Sequence, residues 1–228
     1  MLPKVVLHNG VTVDGRMDWS TSEGDIGLYY ELAAYWKADA MLSGSDTLLA
    51  AYSADQMPED EASNVEPPEL HPLHVPLLVV VDSRGRLRNW QRIRQEPYWR
   101  NAISLCSRAT PQSHLAYLQR RHVGYIVTGD DHVDLRSALE ELTVRYGVKT
   151  VRVDSGGILN GALLRAGLVD EVSVLICPAL VGGTSPRSIY TAPDLTSPDG
   201  VIPLKVIHVE QLRGDVVWLR YEVMKSNE

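Results

Sequence analysis

The chain has 228 residues, of which 44% are hydrophobic and 22% are charged, and its formal net charge is −7. These values fit an ordinary globular domain that is long enough to bury a sizeable core. The negative charge disfavours attraction to a phosphate backbone, so we expect no nucleic-acid partner. No run approaches the roughly 20 apolar residues that a membrane span needs, so we expect no membrane partner.

The two cysteines, Cys106 and Cys177, each lie in an apolar, strand-like run far from the other. Buried free thiols are the expected state, which fits a reducing cytoplasm. The opening residues do not match a signal peptide, which also favours a cytoplasmic location. No CxxC or HExxH pattern occurs, and nothing near the HPLH segment at 71–74 completes a ligand set, so no metal site is predicted.

Apolar, β-branched runs predict strands along the whole chain. They cover 4–8, 38–44, 75–82, 102–107, 123–129, 148–154 and 169–178, and a hairpin of 204–212 with 215–223 turns around Arg213 and Gly214. After the first strand, the segment NGVTVDGRM carries turn residues.

Helices are predicted between these strands. The first extends from a cap at Ser22, with Asp25 in a capping-box-like spacing, to Ala38. The others have predicted N-caps at Ser45, at Thr110 with Pro111 in the first turn, and at Asp134, and one covers residues 156–167. The last two end at Gly147 and Gly167. Alternating strands and helices predict an α/β fold with a mostly parallel sheet, helices on both faces and an antiparallel C-terminal hairpin.

Residues 53–74 hold six acidic residues and no Lys or Arg. We interpret this segment as an acidic loop excursion within a single domain of residues 1–228.

Four predicted strand ends carry small or anion-binding residues, and three of them lead into helices whose free N–H groups favour phosphate. These segments are 43–47, 82–85, 128–130 and 155–157. The carboxyl ends of parallel strands lie at one edge of a sheet, so the four segments predict a dinucleotide-sized site. Arg84 follows a strand end directly, where it could hold a 2′-phosphate.

The sequence motifs of other nucleotide-binding proteins and of hydrolases are absent or incomplete. No GxGxxG follows a strand, and no GxSxG nucleophile elbow occurs. Residues 10–17 have the glycine spacing of a P-loop, but Arg16 and Met17 replace its Lys and Ser/Thr. Asp14 in this segment could act as an acid or base, or could fix the turn through its side chain.

Three segments together resemble the pyrimidine reductases of riboflavin biosynthesis, the family of the RibD C-terminal domain. VTVDGRMD is similar to their S-x-DGK segment, and ADAMLSGSDTLLA is similar to their DA-hydrophobic-G-x-x-T segment. The block VRVDSGGILNGALLRAGLVDEVSVLICPALVGG is very similar to their GG-x-L…GLVDE…P-x-hydrophobic-GG block. The similarity extends in order from about residue 5 to 183.

The resemblance implies a dihydrofolate-reductase-like three-layer sandwich, a homodimer, and NADPH as the hydride donor to a ribosylamino pyrimidinone phosphate. It implies that the cofactor is lined by Gly44, Thr47, Ser83, Arg84, Thr128, Gly129, Gly156, Gly157 and Leu159. It places Asn9, Thr12, Gly15 and Arg16 at the substrate and suggests Asp14 as the catalytic group. It also implies a cis peptide bond between Gly156 and Gly157.

The chain departs from the family pattern at three places. Ser155 stands where the family commonly has Glu, Arg16 stands where Lys is usual, and no Lys or Arg lies between Lys37 and Arg84, where the family has a basic residue for the substrate phosphate. Three functions therefore stay open. They are the riboflavin-pathway reductase, a related reductase with a different pterin- or pyrimidine-like substrate, and a non-catalytic nucleotide-binding homologue.

Overall fold

The structure, a computed structural model, describes residues 1–17, 23–52, 72, 74–184 and 188–225. The predicted cap at Ser22 and nearly all of the acidic excursion at 53–74 lie outside these residues. Within the described ranges, no helix is both long and apolar enough to cross a membrane. In the same ranges, no group of three His, Cys, Asp or Glu side chains could hold a metal ion.

The described residues form nine strands in one sheet, in the order β5-β4-β3-β2-β6-β1-β7-β9-β8. The strands are β1 (Lys4–Thr12), β2 (Ala40–Gly44), β3 (Leu77–Val81), β4 (Asn101–Cys106), β5 (Gly124–Val127), β6 (Thr150–Val153), β7 (Glu171–Cys177), β8 (Leu204–Gln211) and β9 (Val217–Val223). The pairs β2–β3, β3–β4, β4–β5 and β1–β7 are parallel, whereas β7–β9 and β8–β9 are antiparallel. The predicted three-layer α/β fold with its antiparallel C-terminal hairpin is therefore confirmed.

Six α-helices occur in the described ranges. They are α1 (Glu23–Ala33), α2 (Ser45–Ala51), α3 (Trp90–Gln95), α4 (Gln112–Arg120), α5 (Leu135–Tyr146) and α6 (Gly157–Arg165). Helix α5 begins and ends as predicted, because Asp134 accepts a hydrogen bond from the amide of Ser137 and Gly147 adopts the left-handed conformation. Gly167 likewise follows α6 with a φ of +64°.

Two predicted N-caps are wrong. Ser45 is the first residue of α2, and Gly44 before it occupies the N-cap position, with no side-chain hydrogen bond there. Thr110 lies before the N-cap position of α4, which Pro111 occupies. The Thr110 hydroxyl instead accepts a hydrogen bond from the amide of Ser107 and so closes the turn after β4. The predicted first strand was also too short, because β1 continues through Asn9 to Thr12.

The chain divides into two compact units, Met1–Pro3 with Ala38–Val151, and Lys4–Lys37 with Arg152–Glu228. In the first unit, helices α2, α3 and α4 bury apolar side chains against Leu78 and Val80 of β3. Helix α3 was missed because its segment is dense in arginine. Arg94 on that helix is buried and donates hydrogen bonds to the carbonyls of Arg121 and His122. A single domain over residues 1–228 remains a prediction.

In the second unit, Trp36 and Trp218 pack with Val6, Leu28 and Leu175. The chain has no Phe, and tryptophan supplies the large aromatic surface here. This core fixes α1 and the segment Ala34–Trp36 over strands β1, β7 and β9.

Candidate active site

Three of the four predicted segments lie in the first unit, at the carboxyl ends of β2, β3 and β5. These strands and β4 are successive parallel neighbours, so their carboxyl ends lie at one edge. Gly44 ends β2 and directly precedes α2, and Thr47 lies partly exposed in the first turn of that helix. The sheet therefore places together what the sequence pattern predicted for this unit.

The loop after β3 is held by Asp82, whose buried carboxylate accepts hydrogen bonds from the amides of Arg86 (3.0 Å) and Leu87 (2.9 Å). Arg86 then donates to the Ser45 hydroxyl (2.9 Å) and to the Asp46 carboxylate (2.6 Å) at the start of α2. Arg86 was not singled out in the sequence, since six arginines crowd 84–100. It links the loop after β3 to the loop after β2.

Ser83 and Arg84 differ in what they can offer a ligand. The Ser83 carbonyl accepts a hydrogen bond from the Thr110 hydroxyl (2.7 Å), and its own hydroxyl accepts one from the amide of Val133 (3.1 Å). Arg84 is exposed, and among the described residues its guanidinium has no hydrogen-bond or ion-pair partner. Arg84 is thus available to an anion, whereas Ser83 fixes the loops around it.

Thr128 and Gly129 form the turn after β5. The Thr128 hydroxyl donates to the carbonyl of Asp134 (3.0 Å). Gly129 has a φ of +73°, and a Cβ there would lie 2.2 Å from the carbonyl oxygen of His132. The turn requires glycine at this position, whether or not a ligand contacts it.

In the second unit, Asn9 lies near the carboxyl end of β1 and is 5% exposed. Its side-chain amide donates to the carbonyl of Ser155 (3.0 Å) and accepts from the side chain of Asn160 (2.9 Å). Asn160 also donates to the carbonyl of Ile189 (2.8 Å). The pair therefore fixes the backbone between β6 and α6, and Asn160 is a residue that the sequence analysis missed.

The loop after β1 is closed by Thr12 and Asp14. The Thr12 hydroxyl donates to the Asp14 carboxylate, which also accepts from the amide of Gly182 (2.7 Å). These hydrogen bonds lower the pKa of Asp14 to about 2. Gly15 has a φ of +75°, and the guanidinium of Arg16 lies on the side of the loop that faces Gly183. The geometry favours the turn-fixing role of Asp14, and its catalytic role remains a prediction.

Gly156 and Gly157 begin α6, which has no side-chain N-cap. The first amide groups of a helix have no partner within it, so this end can bind an anion. A Cβ at Gly156 would meet nothing within 4 Å, whereas one at Gly157 would lie 2.3 Å from the carbonyl oxygen of Ser188. Leu159 is buried in the first turn. The expected cis bond between Gly156 and Gly157 is wrong, because no peptide bond among the described residues is cis.

A cluster of four titratable side chains lies beside this site in the same unit. His8 stacks on Tyr29, with ring centroids 4.4 Å apart, and the Tyr29 hydroxyl donates to the carbonyl of His8 (2.8 Å). Burial raises the pKa of the Asp154 carboxyl group at the end of β6, and the charge of Arg152 opposes this only in part. The one signal of this cluster in the sequence is a carboxylate at the end of an apolar strand.

Comparisons with known proteins agree on one family. The model of the RibD C-terminal domain matches residues 3–218. A 2,5-diamino-6-ribosylamino-4(3H)-pyrimidinone 5′-phosphate reductase from Methanothermobacter thermautotrophicus is 29% identical over 95% of this chain and 97% of its own length. The riboflavin biosynthesis protein RibD of Escherichia coli is 32% identical over 85% of this chain, but the match covers 53% of that relative.

Solved structures show the same fold. A pyrimidine reductase-like protein from Corynebacterium diphtheriae has a TM-score of 0.72 at 16% identity, with 98% of this chain and 93% of that chain covered. RibD from Acinetobacter baumannii has a TM-score of 0.70 at 24% identity, covering 98% of this chain and 58% of that one. The chain thus spans little more than half of the RibD proteins it matches, but nearly all of the archaeal reductase.

Proposed function

Because the chain belongs to the RibD C-terminal domain family, we propose that it reduces 2,5-diamino-6-ribosylamino-4(3H)-pyrimidinone 5′-phosphate to the ribityl compound. The observation that carries this proposal is the end-to-end match to archaeal reductases with that name. The match covers 97% of the relative from Methanothermobacter thermautotrophicus and 93% of the one from Archaeoglobus fulgidus. The matched region is therefore nearly the whole length of both relatives.

A nicotinamide cofactor fits this reductase family, and NADPH is our specific proposal. Two features support it. Arg84 offers a cation without a partner among the described residues, which suits a 2′-phosphate. The start of α6 offers amides that have no partner within the helix, beside the open space at Gly156, which suits a pyrophosphate.

When bound, NADPH would supply the hydride, and the protein would supply position and orientation. In the second unit, Asn9 holds the backbone at Ser155, and the loop of Thr12, Gly15 and Arg16 is fixed by Asp14. We assign these residues to the substrate and Gly156, Gly157 and Leu159 to the cofactor. In the first unit, Gly44, Thr47, Ser83, Arg84, Thr128 and Gly129 are assigned to the cofactor.

One alternative is a related pyrimidine or pterin as substrate. The observations that favour it are Ser155 in place of the common Glu, and the lack of any Lys or Arg between Lys37 and Arg84. A non-catalytic nucleotide-binding homologue is the other alternative. It would be stabilised by NADPH without turning over any substrate.

We further propose a homodimer in the cytoplasm. Strand β8 is an edge strand with exposed apolar side chains, including Val206, Ile207 and Val209. A long apolar edge strand is a surface that proteins ordinarily cover. A second copy of the chain would cover it.

The experiment is an assay of the purified protein with NADPH and the ribosylamino pyrimidinone phosphate. The expected result is consumption of NADPH and appearance of the ribitylamino product by mass spectrometry. A parallel assay with dihydrofolate and with the dephosphorylated pyrimidine tests the substrate alternative. NADPH binding without turnover of any of the three compounds would contradict the proposed reductase.

A further inference from the structure

Two loops at one edge of the sheet in the first unit are joined by an ion pair. Strands β2 and β3 are parallel neighbours, and Gly44 at the end of β2 pairs with Val81 at the end of β3. Asp46 follows the first of these strand ends closely, and Arg86 follows the second. The guanidinium of Arg86 lies 2.6 Å from the carboxylate of Asp46, so opposite charges connect the two strand ends.

The backbone around Arg86 is held in place for this contact. The amide of Arg86 donates to the buried carboxylate of Asp82 (3.0 Å), and the amide of Gly85 donates to the carbonyl of Asp82 (3.0 Å). Gly85 has a φ of +63°, and a Cβ there would lie 2.6 Å from the buried ring of His114. The side chain of Arg86 therefore extends from a fixed loop toward the loop after β2.

The ion pair is exposed, which separates its effect on charge from its effect on stability. The side chain of Asp46 is 73% exposed and that of Arg86 is 39% exposed. An exposed ion pair adds little to stability, because water solvates both charges when the pair is broken. The Arg86 guanidinium also donates to the buried hydroxyl of Ser45 (2.9 Å), which orients it toward the first turn of α2. What the pair changes most is the charge displayed at this edge of the sheet.

The charge at this edge bears on which dinucleotide the edge accepts. At the carboxyl ends of parallel strands, a carboxylate accepts a hydrogen bond from the 2′-hydroxyl of NADH, whereas an arginine binds the 2′-phosphate of NADPH. Asp46 alone would favour the first ligand and repel the phosphate of the second. With Arg86 bound to Asp46, the carboxylate is neutralised, and the exposed Arg84 in the same loop is left to attract a phosphate.

We propose that Arg86 sets a preference for NADPH over NADH by neutralising the carboxylate of Asp46, an inference that rests on the proposed function. Arg86 is thus a positioning residue that acts through Asp46, whereas Arg84 is the residue assigned to the 2′-phosphate itself. The two arginines can be distinguished by experiment. Removal of Arg84 removes an attraction, whereas removal of Arg86 uncovers a repulsion that disappears when Asp46 carries no charge.

A double-mutant cycle tests this coupling. The variants are Arg86→Gln, Asp46→Asn and the two together, and the measurement is the Kd of NADPH and of NADH by titration of the nicotinamide fluorescence. Because an uncovered like charge at a binding surface is costly, Arg86→Gln should weaken NADPH binding by about 10-fold or more and should not weaken NADH binding. Asp46→Asn alone should not weaken NADPH binding. When Asp46→Asn is present, Arg86→Gln should cost NADPH binding much less than it costs alone.

Arg145→Gln is the matched control. Arg145 is also a partly exposed arginine of this unit with a carboxylate partner, Glu141 (3.8 Å), but it lies in the last turn of α5. Its substitution removes the same charge from the protein and should alter neither Kd. Arg86→Lys keeps the charge and should retain most of the preference for NADPH. Differential scanning fluorimetry should find all these variants near the wild-type Tm, because each change affects an exposed ion pair.

The outcomes distinguish the proposed function from this inference. If wild type binds neither dinucleotide, the proposed function fails and the inference fails with it. If wild type binds NADPH but binds NADH equally tightly, the inference alone is overturned. It is also overturned if Arg86→Gln has the same effect on NADPH binding with and without Asp46→Asn. Weaker NADPH binding in Asp46→Asn, a variant that leaves Arg86 in place, would overturn it as well.

Discussion

Replacing Gly157 by alanine tests how the segment after residue 187 packs on α6. A Cβ on Gly157 would lie 2.3 Å from the carbonyl oxygen of Ser188 and 2.6 Å from the hydroxyl of Thr191. One turn later, a Cβ on Gly161 would lie 1.9 Å from the carbonyl oxygen of Thr191. Residues four apart share a helix face, so two glycines on one face of α6 admit the same stretch of backbone.

The expected loss of stability follows from three contributions. Forcing a methyl group into this contact costs about 1–3 kcal/mol, and weakening the hydrogen bond from the Thr191 amide to the Gly157 carbonyl (3.0 Å) costs about 1 kcal/mol more. The higher helix propensity of alanine returns about 1 kcal/mol. The net destabilisation of roughly 1–3 kcal/mol would lower Tm by about 2–12 °C in a chain of this size.

Gly156→Ala is the matched control, because the two glycines are adjacent and only one is crowded. Its backbone, with φ −77° and ψ 172°, suits alanine, and nothing lies within 4 Å of the new Cβ. Differential scanning fluorimetry should find Gly156→Ala near the wild-type Tm but with weakened NADPH binding. A wild-type Tm for Gly157→Ala would refute the packing argument, and undiminished NADPH affinity for Gly156→Ala would count against the pyrophosphate assignment.

Four further single substitutions have defined expected outcomes. Asp134→Ala removes the N-cap of α5 and should lower the free energy of unfolding by about 1 kcal/mol in urea titration. Asp14→Asn should lower Tm at neutral pH, and the difference should shrink as pH falls from about 4 to about 2, because the folded-state pKa of Asp14 is depressed and its stabilisation is lost on protonation. Arg84→Gln should weaken NADPH binding about 10-fold or more and leave NADH binding unchanged, whereas Arg120→Gln, an exposed charge change in the last turn of α4, should alter neither. Val209→Lys on the edge strand β8 should shift a dimer to monomer by light scattering, and a monomeric wild type would contradict the proposed interface.

The strands could be predicted from the sequence because buried parallel strands are continuous apolar runs bounded by turns. β3 and β4 illustrate this, since both have almost no exposed side chain. Helix α5 was equally readable, because Asp134 and Gly147 mark its ends by local chemistry alone. The extension of β1 could not be predicted, because asparagine is a residue type that favours turns and the burial of Asn9 depends on Asn160, far along the chain.

The sequence predicted which strand ends lie at one edge of the sheet, but not the contacts that hold their loops. Strand ends singled out Arg84 and the glycine pair as candidates, because ligands bind at the carboxyl ends of parallel strands, and their roles remain predictions. The role of Arg86 depends on a partner distant in sequence, Asp46, which no local pattern shows. Thr110 was wrongly predicted to cap a helix for the same reason, since its hydroxyl donates a hydrogen bond to the carbonyl of Ser83.

The most direct test of the central claim follows the hydride itself. The purified protein is incubated with the ribosylamino pyrimidinone phosphate and NADPH deuterated at the transferred position of the nicotinamide ring, and the product is analysed by mass spectrometry. We expect a ribitylamino product one mass unit heavier than that from unlabelled NADPH, with the deuterium on C1′. Unchanged substrate, or a reduced product without the label, would contradict it.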